Sequence, residues 1–162
     1  MTDIDAEKAR LIDDLDEARR RTLAILQDAA ADRIVYPDSG WCVKDTVAHI
    51  LIWEVEALAA LRARQKGMTY TIAGFDSFDQ YNERARARYR DLPLIQIMTE
   101  LHTVRETIKT ILRALPTERF AGMMAYPWPW MGSLSDMMEI MAEHERQHAD
   151  DIRQALQSGE SG

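Results

Sequence analysis

Residues 143–148 read EHERQH, and His144 and His148 are two of only four histidines in the chain. On a helix, side chains at i and i+4 lie one above the other, roughly 5–6 Å apart at Cβ. That spacing suits two imidazole ligands of one divalent metal ion. It equally suits two buried polar residues satisfied by hydrogen bonds. Zinc-like sites use at least three protein ligands, so a third must come from another part of the chain. The candidates are His49, in WCVKDTVAHILIWE, and His102, in ELHTVRE. Charges flank His102, which reads as a surface residue.

The elements that must position these groups are helical. A first helix over about 3–31 sets Ile4, Leu11, Leu15, Leu23 and Leu26 near helical spacing. It ends before YPDSGW, where Pro37 and Gly40 mark a loop. A second runs over about 43–66 and stops at Gly67. Cys42 stands at its cap position, with Asp45 three residues on to favour the helix N-terminus. A long connection, 67–93, holds a short helix around 77–90. A third long helix covers 94–114. After LPTERF and the loop AYPWPWMG, a fourth begins with Ser133 as N-cap and Asp136 at N3 and continues to about 157. Four long helices without a strand signal predict an all-α fold, a four-helix bundle forming one domain over 1–162.

On the fourth helix Met137, Met141, His144, His148, Ile152 and Ala155 share one stripe, with Glu143, Glu145 and Arg146 beside it. The two histidines are therefore expected to face the core. On the second helix Val43, Val47, Ile50, Leu51, Leu58 and Leu61 form one stripe, while His49 shares another face with Thr46, Trp53, Ala57 and Ala60. Glu54 falls within the first stripe without an evident partner. His49 lies about 9 Å from the start of its helix and His148 about 14 Å from the end of its own. Those heights agree if helices two and four run antiparallel. A simple up-down-up-down bundle would make them parallel and miss by roughly 10 Å. The 67–93 segment is long enough to cross the bundle and restore the match.

Composition bounds the partners. The net charge of −7 and pI near 5.1 repel phosphate backbones, so no nucleic acid is expected. Arg84, Arg86, Arg88 and Arg90 alternate in sequence, which spreads them around a helix as a solvated surface. Cys42 is the only cysteine, so no intrachain disulfide forms and a reducing compartment fits. The N-terminus lacks a basic start and an apolar run, and no stretch approaches 18 apolar residues. No membrane association and a cytoplasmic location are expected.

Three segments together resemble the DinB superfamily. SGWCVKDTVAHILIWE is similar to its second-helix motif, HERQH to its helix-four H-x-x-x-H, and FDQYNERARARYRDL to its FN-type segment, with Asn82 in the asparagine position. The resemblance spans nearly the whole chain. It implies a bundle arranged 1-2-4-3, often dimeric, and a metal bound by His49, His144 and His148. A homodimer is the expectation, supported by the two apolar faces of the second helix. Relatives include thiol-dependent transferases using mycothiol or bacillithiol and the N-terminal domain of mycothiol-dependent maleylpyruvate isomerase. This sequence is expected to lack the second domain of the last, and it departs from the usual Ser or Thr cap in having Cys42.

Three neutral imidazoles leave a divalent ion with full charge and an open position. Zinc, nickel, iron and copper all accept such ligands. The leading expectation is a metal-dependent thiol S-transferase or detoxifying enzyme acting on a small electrophile with a low-molecular-weight thiol. The alternatives are a metal-dependent hydrolase of small molecules and a non-catalytic binding or resistance protein. Trp53, Asn82, Tyr126 and Trp130 are the candidate substrate-binding residues, the last two from an aromatic loop that would roof a pocket or cap the core. No catalytic residue stands out. Glu145 and Glu56 are the carboxylates considered as bases, and Cys42 reads as a cap substitute rather than an activated thiol.

Overall fold

The computed structural model describes residues 3–159. Its long helices are α1 (Asp3–Leu26), α2 (Val43–Gln65), α4 (Leu94–Ala114) and α6 (Leu134–Ser158). Shorter ones are α3 (Phe78–Tyr89), capped by the Ser77 side chain, and α5 (Thr117–Phe120). Two small hairpins, absent from the sequence expectation, join them. They are β1 (Ile34–Tyr36) with β2 (Trp41–Cys42), and β3 (Met123–Ala125) with β4 (Met131–Ser133). Strands of two or three residues are too short to show a period-2 pattern.

Helix ends follow their local chemistry. α1 stops at Leu26 rather than 31, although Ala29, Ala30 and Ala31 favour helix. The carbonyls of Ala31 and Arg33 instead accept the first amides of α2, from Lys44 and Val43, both at 2.9 Å. Those amides have no partner inside their own helix. α2 ends in a Schellman turn. Gly67, at φ +73°, donates to Arg64 and Met68 donates to Ala63. α6 starts with the expected capping box between Ser133 and Asp136.

Side-chain pairs fix the directions. Arg10, Arg21 and Asp14 of α1 meet Glu139, Asp150 and Arg146 of α6, so these helices run parallel. Lys44 reaches Arg90, Glu54 meets Arg105, and Arg64 reaches Arg119, so α2 and α4 also run parallel. The start of α2 packs beside the end of α6, so those two are antiparallel, as the histidine heights require. The 67–93 connection thus returns along the bundle, laying α3 on α2. The lateral order differs from 1-2-4-3. α1 sits between α6 and α4, diagonal to α2. The cause is the 27–42 link, which passes under the end of α6, where Arg33 donates to the Ala155 carbonyl at 2.7 Å. Both apolar faces of α2 are covered within the chain by α3, α4 and α6, so they lend the dimer expectation no support.

Each long helix contributes one charged residue to the centre. Arg19 of α1, Glu54 of α2, Arg105 of α4 and Glu145 of α6 are all buried. Arg19 bonds Glu54 and Glu145, both at 2.7 Å. Arg105 bonds Glu54, Glu145 at 2.6 Å and the Leu15 carbonyl at 2.6 Å. Two carboxylates against two guanidiniums make the cluster neutral. Burial pushes the Glu54 carboxyl up, against the pull of Arg105 and Arg19. Burial acts the same way on Glu145, but Arg105 and Arg19 outweigh it and hold that carboxyl below its ordinary range. Glu54 therefore has its partners, and Glu145 is a core residue rather than a base.

Candidate metal centre

The core stripe of α6 is Leu134, Met137, Met138, Met141, Ala142, Glu145, Ala149 and Ile152. It is rotated from the expected one. Two buried arginines make position 145 a good place for a carboxylate, and His144 and His148 move to the border facing α2. His49 projects from the second turn of α2 toward them.

The three rings converge through their Nε2 atoms. Nε2 of His144 lies 2.9 Å from that of His49 and 3.1 Å from that of His148. A tetrahedral ion with bonds of about 2.0–2.1 Å sets its nitrogen ligands about 3.3 Å apart. The two spacings at His144 match this within a few tenths of an ångström, and one ligand nitrogen from each ring lies within 4.8 Å of the other two. Burial holds His49 down to about 2, helped by the charges that His144 and His148 would carry. Burial and His148 hold His144 down to about 3, and burial lowers His148 as well. All three rings are then neutral at pH 7, the form that ligates metal. Nδ1 of His49 and of His144 has no hydrogen-bond partner among the described residues. His148 differs, with Nδ1 2.6 Å from the Tyr36 hydroxyl. His102 is exposed on α4, away from this group.

Two cavities of different character meet at His49. One, of about 250 Å³, is bounded by His49 and His144 and lined by Trp53, Phe78, Asn82, Trp128, Trp130, Ile140 and Met141. Its walls brace one another, with Trp53 5.7 Å from both Phe78 and Trp128 between ring centroids. The other, of about 620 Å³, is bounded by His49 and His148 and lined by Tyr36, Trp41, Asn82 and the acids Asp38, Asp79, Glu83 and Asp151. No lysine or arginine among the described residues lines either one. Asn82 borders both, its Oδ1 held by Trp53 Nε1 at 3.0 Å.

Of the candidate substrate-binding residues, Trp53, Asn82 and Trp130 line the apolar cavity. Tyr126 does not. It is buried over Gly132, too close for any Cβ there, and donates to the Ser133 carbonyl at 2.9 Å. It clamps the β3–β4 hairpin behind Trp128. Glu56 accepts from Tyr70 at 2.6 Å and from Tyr81, in a separate cleft. The Cys42 thiol bonds Asp45 and is pushed up chiefly by burial, so it is not an activated thiolate. Trp41 walls the histidines, 5.3 Å from His49 between ring centroids, and donates to Glu83. The sequence reading missed Phe78, Ile140 and Tyr36. Phe78 and Ile140 stand four residues before Asn82 and His144, a spacing that places them on the same helix faces. Tyr36 had no comparable signal.

The family model of the DinB superfamily matches residues 14–152. Two solved structures share the fold. An uncharacterised protein from Escherichia coli UTI89 aligns with a TM-score of 0.72 at 18% identity, covering 94% of each chain. YfiT from Bacillus subtilis, described as a probable metal-dependent hydrolase with an unusual four-helix bundle topology, aligns with a TM-score of 0.74 at 15% identity. That alignment covers 98% of this chain and 89% of YfiT. No curated protein matches the chain. No helix among the described residues is long and apolar enough to cross a membrane.

Proposed function

The chain belongs to the DinB superfamily, and on that premise we propose that it is a metal-dependent enzyme acting on a small molecule. His49, His144 and His148 hold one divalent transition metal, of which zinc, nickel and iron fit imidazole ligands. Lewis acidity supplied there activates a thiol or a water as nucleophile at neutral pH. The observation that carries the reading is the convergence of three neutral imidazoles where two cavities meet.

The two cavities favour a two-substrate reaction, with thiol S-transfer as the finer reading. The aromatic cavity takes the apolar part of an uncharged electrophile between Trp53, Trp128 and Trp130. The acidic cleft takes a low-molecular-weight thiol bearing an ammonium group. Asn82, fixed by Trp53 and bordering both, orients polar atoms of either reactant. No carboxylate lines the aromatic cavity among the described residues. Hydrolysis is the second reading, favoured by the description of YfiT.

The experiment loads the protein with zinc, nickel or iron and offers a chromogenic aryl halide with a panel of small thiols. Aryl esters without thiol are assayed in parallel. Thiol-dependent, chelator-sensitive conjugation supports transfer. Ester turnover without thiol supports hydrolysis. A protein that turns over neither, with every ion bound, contradicts the enzymatic reading.

A further inference from the structure

We propose that Tyr36, held by Asp151, is a positioning residue that fixes His148 in the tautomer whose Nε2 lone pair faces His49 and His144. This rests on the reading of the three histidines as metal ligands. The Tyr36 hydroxyl has one proton and two neighbours. It lies 2.5 Å from Oδ2 of Asp151 and 2.6 Å from Nδ1 of His148. A carboxylate only accepts, so the phenol donates to Asp151. The Tyr36 oxygen is then left as an acceptor toward the ring, and Nδ1 of His148 must carry the hydrogen. A neutral imidazole has a single N–H. Nε2 of His148 is therefore bare and directed at the point shared with His144, 3.1 Å away.

The brace joins distant parts of the chain. Tyr36 comes from β1, in the link between α1 and α2, while His148 and Asp151 stand three apart on α6. Direct contact does not replace it, since His148 Nδ1 is 3.9 Å from the nearer Asp151 oxygen. Among the described residues, His49 and His144 have no such partner at Nδ1. His148 is thus the one of the three whose outer nitrogen the protein itself holds, and it would meet an ion with its tautomer already set. Groups that hydrogen-bond a ligating imidazole from behind typically contribute 10–100-fold to metal affinity.

Two variants separate this role from mere packing. Tyr36→Phe keeps the ring, which meets Trp41 and His148 edge-on, and leaves the separate Arg33–Ala155 tether in place. Asp151→Ala keeps the whole tyrosine but frees its proton, which then turns toward His148 Nδ1 and transfers the ring hydrogen to Nε2. Long-range ¹H–¹⁵N NMR of the metal-free protein reads the tautomer, and competition against a chromophoric chelator reads zinc affinity. The expected results are a single Nδ1–H tautomer in wild type, a mixture in Tyr36→Phe, and the Nε2–H form in Asp151→Ala. Zinc binding weakens about 10–100-fold in both variants. A His148 that keeps the wild-type tautomer in both variants overturns the proposal, as does zinc affinity within about twofold of wild type. If wild type takes no metal, the functional reading fails, and the NMR comparison alone decides the brace. Should Tyr36→Phe fail to fold, Asp151→Ala carries the same test.

Discussion

Replacing Arg105 by Met should be among the most damaging single changes available in this chain. The Arg105 side chain is 2% exposed and bonds Glu54, Glu145 and the Leu15 carbonyl. Methionine fills much of its volume but leaves two buried carboxylates to share Arg19. The neutral cluster then carries an uncompensated negative charge. Breaking a buried ion pair by removing one partner costs about 3–5 kcal/mol. Domains of this kind have about 5–15 kcal/mol in total. At about 2–4 °C per kcal/mol for 150–250 residues, the melting temperature should fall by about 6–20 °C. Urea unfolding of metal-free protein, followed by circular dichroism and tryptophan fluorescence, measures the loss. Arg62→Met, exposed on α2, is the control and should stay within about 0.5 kcal/mol. Adding Glu145→Leu to Arg105→Met restores neutrality, because Arg19 and Glu54 remain paired. The double variant should recover much of the loss, since an intact buried pair is often no better than apolar packing. If Arg105→Met costs no more than Arg62→Met, or the double variant is worse by the sum of its parts, the cluster is not a dry, charge-balanced core.

The histidines predict a pH signature of definite sign. Their ordinary value is 6.5, and folding depresses His49 to about 2 and His144 to about 3. The unfolded chain binds more protons below pH 6.5, so metal-free stability is complete above that value and falls with pH toward about 3. The slope is about 1.4 kcal/mol per pH unit for each such group. Urea midpoints at pH 7.5, 6.5 and 5.5 test this, and His49→Phe should flatten the dependence. Asp45→Ala removes the acceptor of the Cys42 amide and the 3.1 Å partner of Arg86, and should cost about 1–2 kcal/mol in the same assay. Trp128→Ala should weaken binding of a neutral aromatic probe such as N-phenyl-1-naphthylamine roughly tenfold, about 1.4 kcal/mol, by fluorescence titration. Equal affinity would remove that cavity from the ligand site.

What was legible in the sequence is what repeats or has a fixed spacing. Helix α4 and its bounds followed from periodicity, and the ends of α2 and α6 followed from Gly67, Ser133 and Asp136. The antiparallel pairing of α2 and α6 came from matching the depths of His49 and His148, and the length of 67–93 made it feasible. What could not be read depends on contacts between distant segments. The hairpins are too short to have a period. The end of α1 is set by the demand of α2 for acceptors, which no window around residue 30 contains. A stripe analysis assumes charged residues face out, so it put Glu145 outside and His144 inside. Glu145 took the core position and His144 its border because Arg19 and Arg105 arrive from two other helices. Tyr126 looked like its neighbours Trp128 and Trp130, but the absence of a side chain at Gly132 gave it a different seat.

The proposed chemistry depends on His49, His144 and His148 binding one metal ion. The most direct measurement is bound-metal stoichiometry by elemental mass spectrometry, after loading with zinc, nickel or iron and desalting. Wild type, His49→Ala, His144→Ala, His148→Ala and His102→Ala are compared, with circular dichroism to confirm that each is helical. About one ion per chain is expected in wild type and His102→Ala, with most of it lost in the other three while the bundle stays folded. Wild type that retains none of the three ions, or His102→Ala that loses metal as fully as the triad variants, would contradict the three-histidine site.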